Sequence, residues 1–253
     1  ASASAQVFLN LFRDALDGAR GNSDFLFPRT DLDKLFPQPA AAFVRANGGS
    51  VLLGTRVRTL GKASDGFALD DRPERYTHAI LAVGPHQIDA LLDRFPALAP
   101  TRQSLAAFAY EPIYTCYLQY PPEVSMPRAM TGFDGGTIQW VFDRGRLNGT
   151  AGLLAAVISA RGGHQNVSQD VVASAMHREL AAFLPDLPQP LWSRVIAEKR
   201  ATFSCRPGLA RPGNQTAVDN LYLAGDYTAG DYPATLESAV RSGVLAARMV
   251  RER

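Results

Sequence analysis

The chain has 253 residues, of which 46% are hydrophobic and 20% are charged, as is typical of a folded globular protein. Its 26 basic and 24 acidic residues give a net charge of +2. Proteins that bind nucleic acid usually carry a concentrated basic excess, so this balance argues against nucleic acid as a partner.

The cysteine and histidine spacing predicts neither a disulfide framework nor a metal site. Cys116 and Cys205 lie far apart without CxxC spacing, and the four histidines show no HxxxH pattern. Free cysteines are typical of a reducing compartment. No apolar run reaches the roughly 20 residues that span a bilayer. We expect a cytoplasmic protein, and peripheral contact with a membrane stays open.

Two helices are predicted near the start of the chain. Phe8, Phe12 and Leu16 recur at helical spacing and share one face. Pro37 suits a helical first turn because its missing N–H has no partner there, which predicts a helix over 37–47.

The rest of the chain mixes strand and helix patterns. A strand is predicted over 50–60, and the continuous apolar run 79–83 is typical of a parallel strand covered on both faces. Residues 105–160 are rich in strand patterns, a helical period returns over 168–183, and 194–203 again predicts a strand. The sequence therefore predicts an α/β (α+β) fold.

The C-terminal stretch predicts a strand, a glycine turn and a helix. Residues 221–224 are a short apolar run, and Gly225 permits close approach of a ligand to the backbone. The carboxylate of Asp226 is suited to accept hydrogen bonds from hydroxyl groups. A helix predicted over 234–251 would present free N–H groups and a positive dipole end at its start. These features suit a ligand with a polar, electron-rich edge.

The same pattern also has a purely structural interpretation. A strand, a loop and a helix would close an ordinary α/β sheet if the apolar stripe of the helix faced inward. The residues of that stripe are Leu236, Val240, Gly243, Val244 and Ala247.

The full string LYLAGDYTAGDYPATLESAVRSG over 221–243 is more specific. It resembles the C-terminal motif of the flavin-containing amine oxidase and phytoene desaturase superfamily, in the form found in squalene-associated desaturases, which are described as hydroxysqualene dehydroxylases. The stretches SDFLFPRTDLDKLFP, GGSVLLGTRVRTL, THAILAVGP, QWVFDRG and EKRATFSCRPG agree with that group, so the resemblance covers essentially the whole chain. Two positions depart from it. Tyr227 stands where many relatives have Trp, and Asp231 where Gly is frequent.

The resemblance implies FAD as the cofactor and assigns its contacts by position. Val57 matches the strand residue whose backbone meets the adenine, and Asp226 matches the ribityl contact. Gly225 would allow the backbone to approach the cofactor closely. The helix start would lie under the flavin ring, where its N–H groups suit the N1–C2=O edge. The residues of this helix start are Ala234, Thr235 and Leu236.

One part of the family's cofactor site has no counterpart in this sequence. The family carries GxGxxG in an N-terminal βαβ unit, and no stretch of this chain has that spacing. We expect the chain to be the C-terminal portion of a longer enzyme, or a natural half that pairs with a separate flavin-binding polypeptide. The expected partner is therefore a missing N-terminal flavin-binding segment. Alone, the chain is expected to bind FAD weakly or not at all and to be inactive.

The resemblance also implies an isoprenoid lipid substrate, with removal of hydroxyl from hydroxysqualene to give squalene, or desaturation of a related lipid. Loss of an allylic hydroxyl needs a proton donor, and Asp231 and Tyr232 stand just before the flavin-facing helix. The alternative is that Asp231 only caps the turn near Pro233. Aromatic and polar residues of the β-rich region would wall a lipid cavity, or fill a core instead in about half of the cases. They are Tyr110, Tyr114, Tyr117, Gln139, Trp140 and Phe142.

Two domains are expected. A partial, Rossmann-like FAD-binding domain is predicted over 28–95 and 205–253, and a mixed-sheet substrate-binding domain over 1–27 and 96–204. Two other functions stay open, namely an amine oxidase-type flavoenzyme and a non-catalytic lipid-binding or partner subunit. An aromatic pair facing the flavin, in place of a lipid-sized tunnel, would favour the amine oxidase.

Overall fold

The computed structural model describes residues 3–18 and 20–252. Helices and sheets alternate along the chain, which confirms the predicted α/β class. The α-helices are α1 (Ala5–Leu16), α2 (Leu32–Leu35), α3 (Pro37–Ala46), α4 (Pro85–Leu92), α5 (Ala99–Ala106), α6 (Arg144–Asn148), α7 (Gln169–Phe183) and α8 (Leu236–Arg251). The strands are β1 (Leu60–Ala63), β2 (Gly66–Leu69), β3 (Arg75–Tyr76), β4 (Ala79–Leu81), β5 (Tyr110–Gln119), β6 (Met130–Gly132), β7 (Trp140–Asp143), β8 (Leu153–Ser159), β9 (Trp192–Phe203) and β10 (Leu221–Leu223).

The chain forms two compact units. The first comprises Ala1–Asp24, Gly54–Tyr110 and Thr202–Arg253, and the second comprises Phe25–Leu53 and Glu111–Ala201. These bounds differ from the domain prediction mainly at the start of the chain. The first 24 residues belong with the C-terminal helix, and 25–53 belong with the large sheet. The assignment of a flavin or a substrate role to either unit stays a prediction.

The first unit contains a small antiparallel sheet of β1, β2 and β3 and a parallel pair of β4 and β10. The parallel pair places Ala79 opposite Leu221 and Leu81 opposite Leu223. The apolar run at 79–83 therefore contains a parallel strand, as predicted. The core of the first unit is formed by side chains of the small sheet, α4, α5 and the region around β10. They include Leu60, Phe67, Ile88, Leu92, Leu221, Leu223 and Tyr227.

The predicted strand over 50–60 was wrong for most of its length, since β1 begins only at Leu60. Gly54 has a φ of +65° and lies in a turn. The backbone beyond it is held by a side chain instead of a neighbouring strand. The Asp70 carboxylate accepts hydrogen bonds from the N–H groups of Arg58 and Thr59, each at 2.8 Å. These bonds hold the pKa of Asp70 below its usual value.

The second unit is a sheet with strand order β6-β7-β8-β5-β9 and with α7 against one face. Burial alternates along β5, as expected of a strand whose two faces have different surroundings. Tyr114, Cys116 and Leu118 are buried in one cluster with Met176 and Leu180 of α7. The helix begins where the pattern predicted, because the Ser168 hydroxyl accepts from the N–H of Val171 and caps it.

Helices α1 and α3 also form where the sequence predicted them. The apolar face of α1 is not covered, since Phe8, Phe12 and Leu16 are all exposed. Among the described residues, no helix combines the length and apolarity needed to cross a membrane.

Candidate functional site

The turn after β10 requires glycine. Gly225 has a φ of +151°, and a Cβ built there would lie 2.4 Å from the Tyr227 ring. That ring is almost fully buried, and its hydroxyl donates to the carbonyl of Leu81 at 3.5 Å. The chain therefore folds back tightly onto β4, and Tyr227 is a core residue of this turn.

Arg211 holds the loop that follows, over 226–232. Its guanidinium lies half-buried over the ring of Phe203, with its carbon 5.1 Å from the ring centroid. It donates five hydrogen bonds. The acceptors are the carbonyl oxygens of Asp226 (2.6 Å), Tyr232 (2.8 Å), Gly230 (2.9 Å) and Tyr227 (3.4 Å) and the hydroxyl of Ser238 (3.3 Å). The sequence interpretation missed Arg211, because an arginine in a Pro-Gly-rich stretch resembles any solvated loop cation.

Asp226, the predicted ribityl contact, lies inside this arrangement. Burial raises the pKa of its carboxyl group above the usual value, and the positive charge of Arg211 opposes that rise. The carboxylate also accepts a hydrogen bond from the N–H of Tyr227. Asp226 is thus a partly desolvated acceptor of fixed orientation.

Helix α8 begins two residues later than predicted. Thr235 is its N-cap, and its hydroxyl accepts from the N–H of Ser238 at 3.2 Å. The N–H of Ala239 is bonded to the Thr235 carbonyl at 3.1 Å. In the part of the chain that the structure describes, the N–H groups of Leu236 and Glu237 have no hydrogen-bond acceptor. They form an open donor pair at the positive end of a 16-residue helix.

Ala234 precedes the helix and lies beside Cys205. Burial raises the pKa of the Cys205 thiol, while the backbone of Ala234 and the charge of Arg211 lower it. Cys205 is therefore a support for the residues that precede α8.

The buried face of α8 is the opposite of the one that the structural interpretation required. Leu236, Val240 and Val244 are 75%, 51% and 46% exposed. The residues that pack inward are Ser238, Ser242 and Ala246. The apolar stripe of the helix is uncovered, and its small polar face contacts β10 and the loop.

The two predicted proton donors have different surroundings. Asp231 is exposed, and among the described residues only its backbone carbonyl is hydrogen bonded, to the amide of Asn10 at 3.0 Å. The cap of α8 is Thr235, and among the described residues the Asp231 carboxylate makes no hydrogen bond to the turn near Pro233. The hydroxyl of Tyr232 donates to the carboxylate of Asp14 in α1, and this bond raises the pKa of Tyr232.

Val57 lines a cavity of about 590 Å³ within the first unit. The outer side of β4 forms another wall, through Ile80 and Leu81. His78 also lines the cavity, and its buried Nε2 has no hydrogen-bond partner among the described residues. Because this nitrogen has almost no accessible surface, it does not face the cavity. In the described part of the chain, no group of His, Cys, Asp and Glu is arranged to hold a metal ion.

The predicted wall residues divide between the two faces of the large sheet. Tyr114 is buried under α7. Tyr117 and Phe142 both lie opposite Ala155, and Trp140 lies opposite Val157, so these three aromatic residues share the other face. Trp140 is 42% exposed. In this aromatic face, defined by Tyr117, Trp140 and Phe142, the other two rings are half-buried.

The two remaining wall residues have structural partners. The Gln139 side chain exchanges two hydrogen bonds with the backbone of Ser159, at 2.9 and 3.1 Å. Tyr110 lies in the first unit, where its ring contacts His86 edge to face at 5.9 Å.

Comparison with known proteins places this geometry in context. The model of the family described as flavin containing amine oxidoreductase matches residues 11–251. A hydroxysqualene dehydroxylase of Rhodopseudomonas palustris is 32% identical over 237 residues, covering 89% of this chain and 52% of that protein. A 15-cis-phytoene desaturase of Solanum lycopersicum is 24% identical, covering 84% of this chain and 40% of its own. The chain thus spans about half the length of these curated relatives.

Solved structures of similar fold include a putrescine oxidase triple mutant and the cyclohexylamine oxidase of Brevibacterium oxydans IH-35A. The first has a TM-score of 0.64 at 18% identity and covers 86% of this chain and 53% of its own. The second has a TM-score of 0.58 at 16% identity and covers 79% and 49%. At such identities the likeness concerns the fold alone.

Proposed function

Because the chain belongs to the flavin-containing amine oxidoreductase family, we propose that it supplies the ring end of an FAD site in an enzyme that acts on an isoprenoid lipid. One observation carries the proposal. The Gly225 turn and the loop held by Arg211 lead directly to a helix start whose Leu236 and Glu237 N–H groups are open. Such a helix start favours a ligand edge that gains negative charge.

The residues present fit a flavin nucleotide. Tyr227 fills the space beside Gly225, and Asp226 presents a partly buried acceptor at this turn. The cavity lined by Val57 lies beside β4 and has room for a base. When bound, FAD would supply the hydride chemistry, and the protein would supply position and exclusion of water.

The substrate class rests on the relatives and on one surface. The Rhodopseudomonas palustris relative is a hydroxysqualene dehydroxylase. The aromatic face of the large sheet offers a partly exposed apolar surface, with Trp140 the most exposed of its three rings, of the kind a hydrocarbon chain contacts. We therefore assign a C30 isoprenoid alcohol as substrate, with dehydroxylation favoured over desaturation of a related lipid.

Asp231 is the better of the two candidate proton donors. In its protonated form, its carboxyl group would give a proton to the leaving hydroxyl, the C–O bond would break, water would depart, and the allylic cation left behind would be neutralised by the hydride that reduced FAD supplies when bound. Tyr232 already donates its proton to Asp14, so its role is to hold α1 against the loop. Asp231 is exposed and its carboxyl group is not committed to such a bond among the described residues.

We propose that a GxGxxG-bearing segment completes the site by adding to the outer edge of β4. Ala79 and Leu81 bond to the β10 side, through Ala79 N–H to Asn220 and Ala224 N–H to Leu81. Because strand residues alternate in direction, the N–H and C=O groups of Ile80 point to the other edge. Among the described residues, β4 pairs only with β10, and Ile80 is 40% exposed.

The test is a fusion of this chain to the portion of the Rhodopseudomonas palustris relative that the chain does not cover, which the family resemblance predicts to carry GxGxxG. We expect the fusion to bind one equivalent of FAD, seen as flavin absorbance, and to convert hydroxysqualene to squalene once dithionite has reduced the flavin. The chain alone should retain little flavin. One equivalent of FAD on the chain alone would contradict the need for a second segment. A fusion that loads FAD and oxidises amines but leaves the isoprenoid unchanged would contradict the substrate class.

A further inference from the structure

We propose that Arg211 is the positioning residue of this site: it fixes the path of the loop over 226–232 and adds a positive charge behind the start of α8. The positioning role concerns the chain itself. The electrostatic role rests on the proposed flavin function.

The geometry of the guanidinium is the first argument. Arginine has five N–H donors in a rigid planar fork, and all five are used here. Nε bonds to one acceptor, and Nη1 and Nη2 bond to two each. Four of these acceptors are backbone carbonyls of one short loop. A single side chain therefore determines where the loop runs.

The loop has a particular need for this cation. The carbonyl oxygens of Asp226, Tyr227, Gly230 and Tyr232 converge on one point, where their negative ends would repel one another without a donor between them. Carbonyl groups that lose both water and donors are costly. We infer that this loop conformation exists only while Arg211 occupies its centre.

The same group reaches the first turn of α8. The Ser238 hydroxyl donates to the Asp226 carbonyl at 3.1 Å and accepts from Arg211 Nη2 at 3.3 Å. The open N–H groups of Leu236 and Glu237 belong to this turn. Their position relative to Gly225 is thus set through Arg211 and Ser238.

The charge of Arg211 is only partly balanced. None of its five hydrogen bonds goes to a carboxylate, and in the described residues it forms no ion pair within 4.0 Å. Asp226 and Asp231 act on it from farther away, and burial lowers its pKa, yet an arginine stays protonated. A fixed cation beside the positive end of a helix favours electron density on a ligand placed there.

Lysine cannot replace this residue. Its ammonium is a point charge with three donors on a flexible stem, so it keeps the charge but cannot bond five acceptors in a plane. The Phe203 ring, which covers one face of the guanidinium, also suits a flat cation. The two halves of the proposal are therefore separable by substitution.

The first experiment is hydrogen exchange on the chain alone, comparing wild type with Arg211→Ala, Arg211→Lys and the exposed control Arg206→Ala. We expect both Arg211 variants to raise exchange in 226–236 by about tenfold or more, as loss of charge-assisted hydrogen bonds requires. Strands β5 and β8 of the second unit should be unchanged, which separates loop opening from general unfolding. Millimolar guanidinium should restore protection in Arg211→Ala, and ammonium at equal ionic strength should not. Unchanged exchange in the loop of Arg211→Ala, or equal rescue by ammonium, would overturn the positioning role.

The second experiment measures the midpoint potential of FAD bound to the fusion protein. Arg211→Gln should lower the potential relative to wild type, because the positive charge that favours the reduced flavin is gone. Arg211→Lys should give a smaller decrease. An unchanged potential in Arg211→Gln would overturn the electrostatic role and leave the positioning result intact. A wild-type fusion that loads no FAD would count against the proposed function and with it the electrostatic role, while the exchange result would still decide the positioning role.

Discussion

The side-chain amide of Asn214 donates to the hydroxyl of Ser242 at 2.8 Å and joins the segment before β10 to the buried face of α8. The same hydroxyl accepts from the N–H of Gly225 at 3.0 Å and lies 2.7 Å from the hydroxyl of Thr228. Asn214 also donates to the carbonyl of Leu223 at 2.8 Å. One serine thus connects the strand, the glycine turn and the helix of the candidate site.

Ser242→Ala should destabilise the chain. It removes the acceptor of the Gly225 N–H, whereas the Asn214 amide keeps the carbonyls of Leu223 and Ser242 as acceptors. A buried polar group left without a partner costs about 1–3 kcal/mol. We expect a decrease of that order in the free energy of unfolding, measured by urea denaturation. Ser64→Ala is the matched control, because Ser64 is exposed in the same unit. Equal stability of the two variants would show that the network contributes nothing.

A pair of glycine substitutions should have effects of opposite sign. In Gly225→Ala, the new methyl group would lie 2.4 Å from the ring of Tyr227, so the buried ring must move. We expect a loss of about 1–3 kcal/mol, as overpacking usually costs. In Gly243→Ala, the methyl group meets no atom within 4 Å inside α8, so better helix propensity should add about 0.5–1 kcal/mol. Thermal unfolding of both variants checks the prediction, and a stabilising Gly225→Ala would contradict the close approach.

The sequence predicted local structure well wherever one element determines its own pattern. The period of α7 and its Ser168 cap were recognisable because both lie within a few residues. The path of 55–59 was not recognisable, because the N–H groups of Arg58 and Thr59 bond to Asp70, which comes two strands and a turn later in the chain. When a carboxylate accepts the hydrogen bonds that a neighbouring strand would otherwise accept, the pattern of alternating residues does not reveal it.

In the candidate site, too, features set by neighbouring residues were predictable, and features set by distant residues were not. Gly225 and Asp226 were identified from the local string, and their tight turn is now explained by Tyr227. Arg211 was missed because its five acceptors depend on how the loop closes. The purely structural interpretation, which turned the apolar stripe of α8 inward, is contradicted by its exposure. A helical period shows that an apolar stripe exists, but which side is covered depends on the neighbours, and here small residues such as Ser242 allow the closer approach.

Acid should weaken the second unit through His177. The Tyr120 hydroxyl and His177 Nδ1 lie 3.0 Å apart, and burial lowers the pKa of His177 below its usual 6.5. The unfolded chain therefore binds a proton below pH 6.5 that the folded chain does not bind, so the free energy of unfolding falls as the pH is lowered through 6.5 and levels off below the folded pKa. We expect His177→Gln to flatten this dependence when melting temperatures are compared between pH 7.5 and 5.5. Some slope should remain, because burial also lowers the pKa of His164. Equal slopes in the variant and the wild type would exclude His177 as the source.

Asp231 and Tyr232 can be distinguished by two conservative substitutions in the FAD-loaded fusion protein. Asp231→Asn keeps the shape of the side chain but removes the proton, so turnover of hydroxysqualene should fall by about 10²–10⁴-fold if the carboxyl group is the acid. Tyr232→Phe removes a hydroxyl whose proton already goes to Asp14, so turnover should stay within about threefold of wild type while the hold on α1 weakens. The flavin spectrum of each variant shows whether the cofactor remains bound, so that a loss of turnover refers to the chemical step. Undiminished turnover in Asp231→Asn, together with a large loss in Tyr232→Phe, would assign the role of proton donor to Tyr232. The hydrogen bond from Tyr232 to Asp14 would then have to break in each cycle.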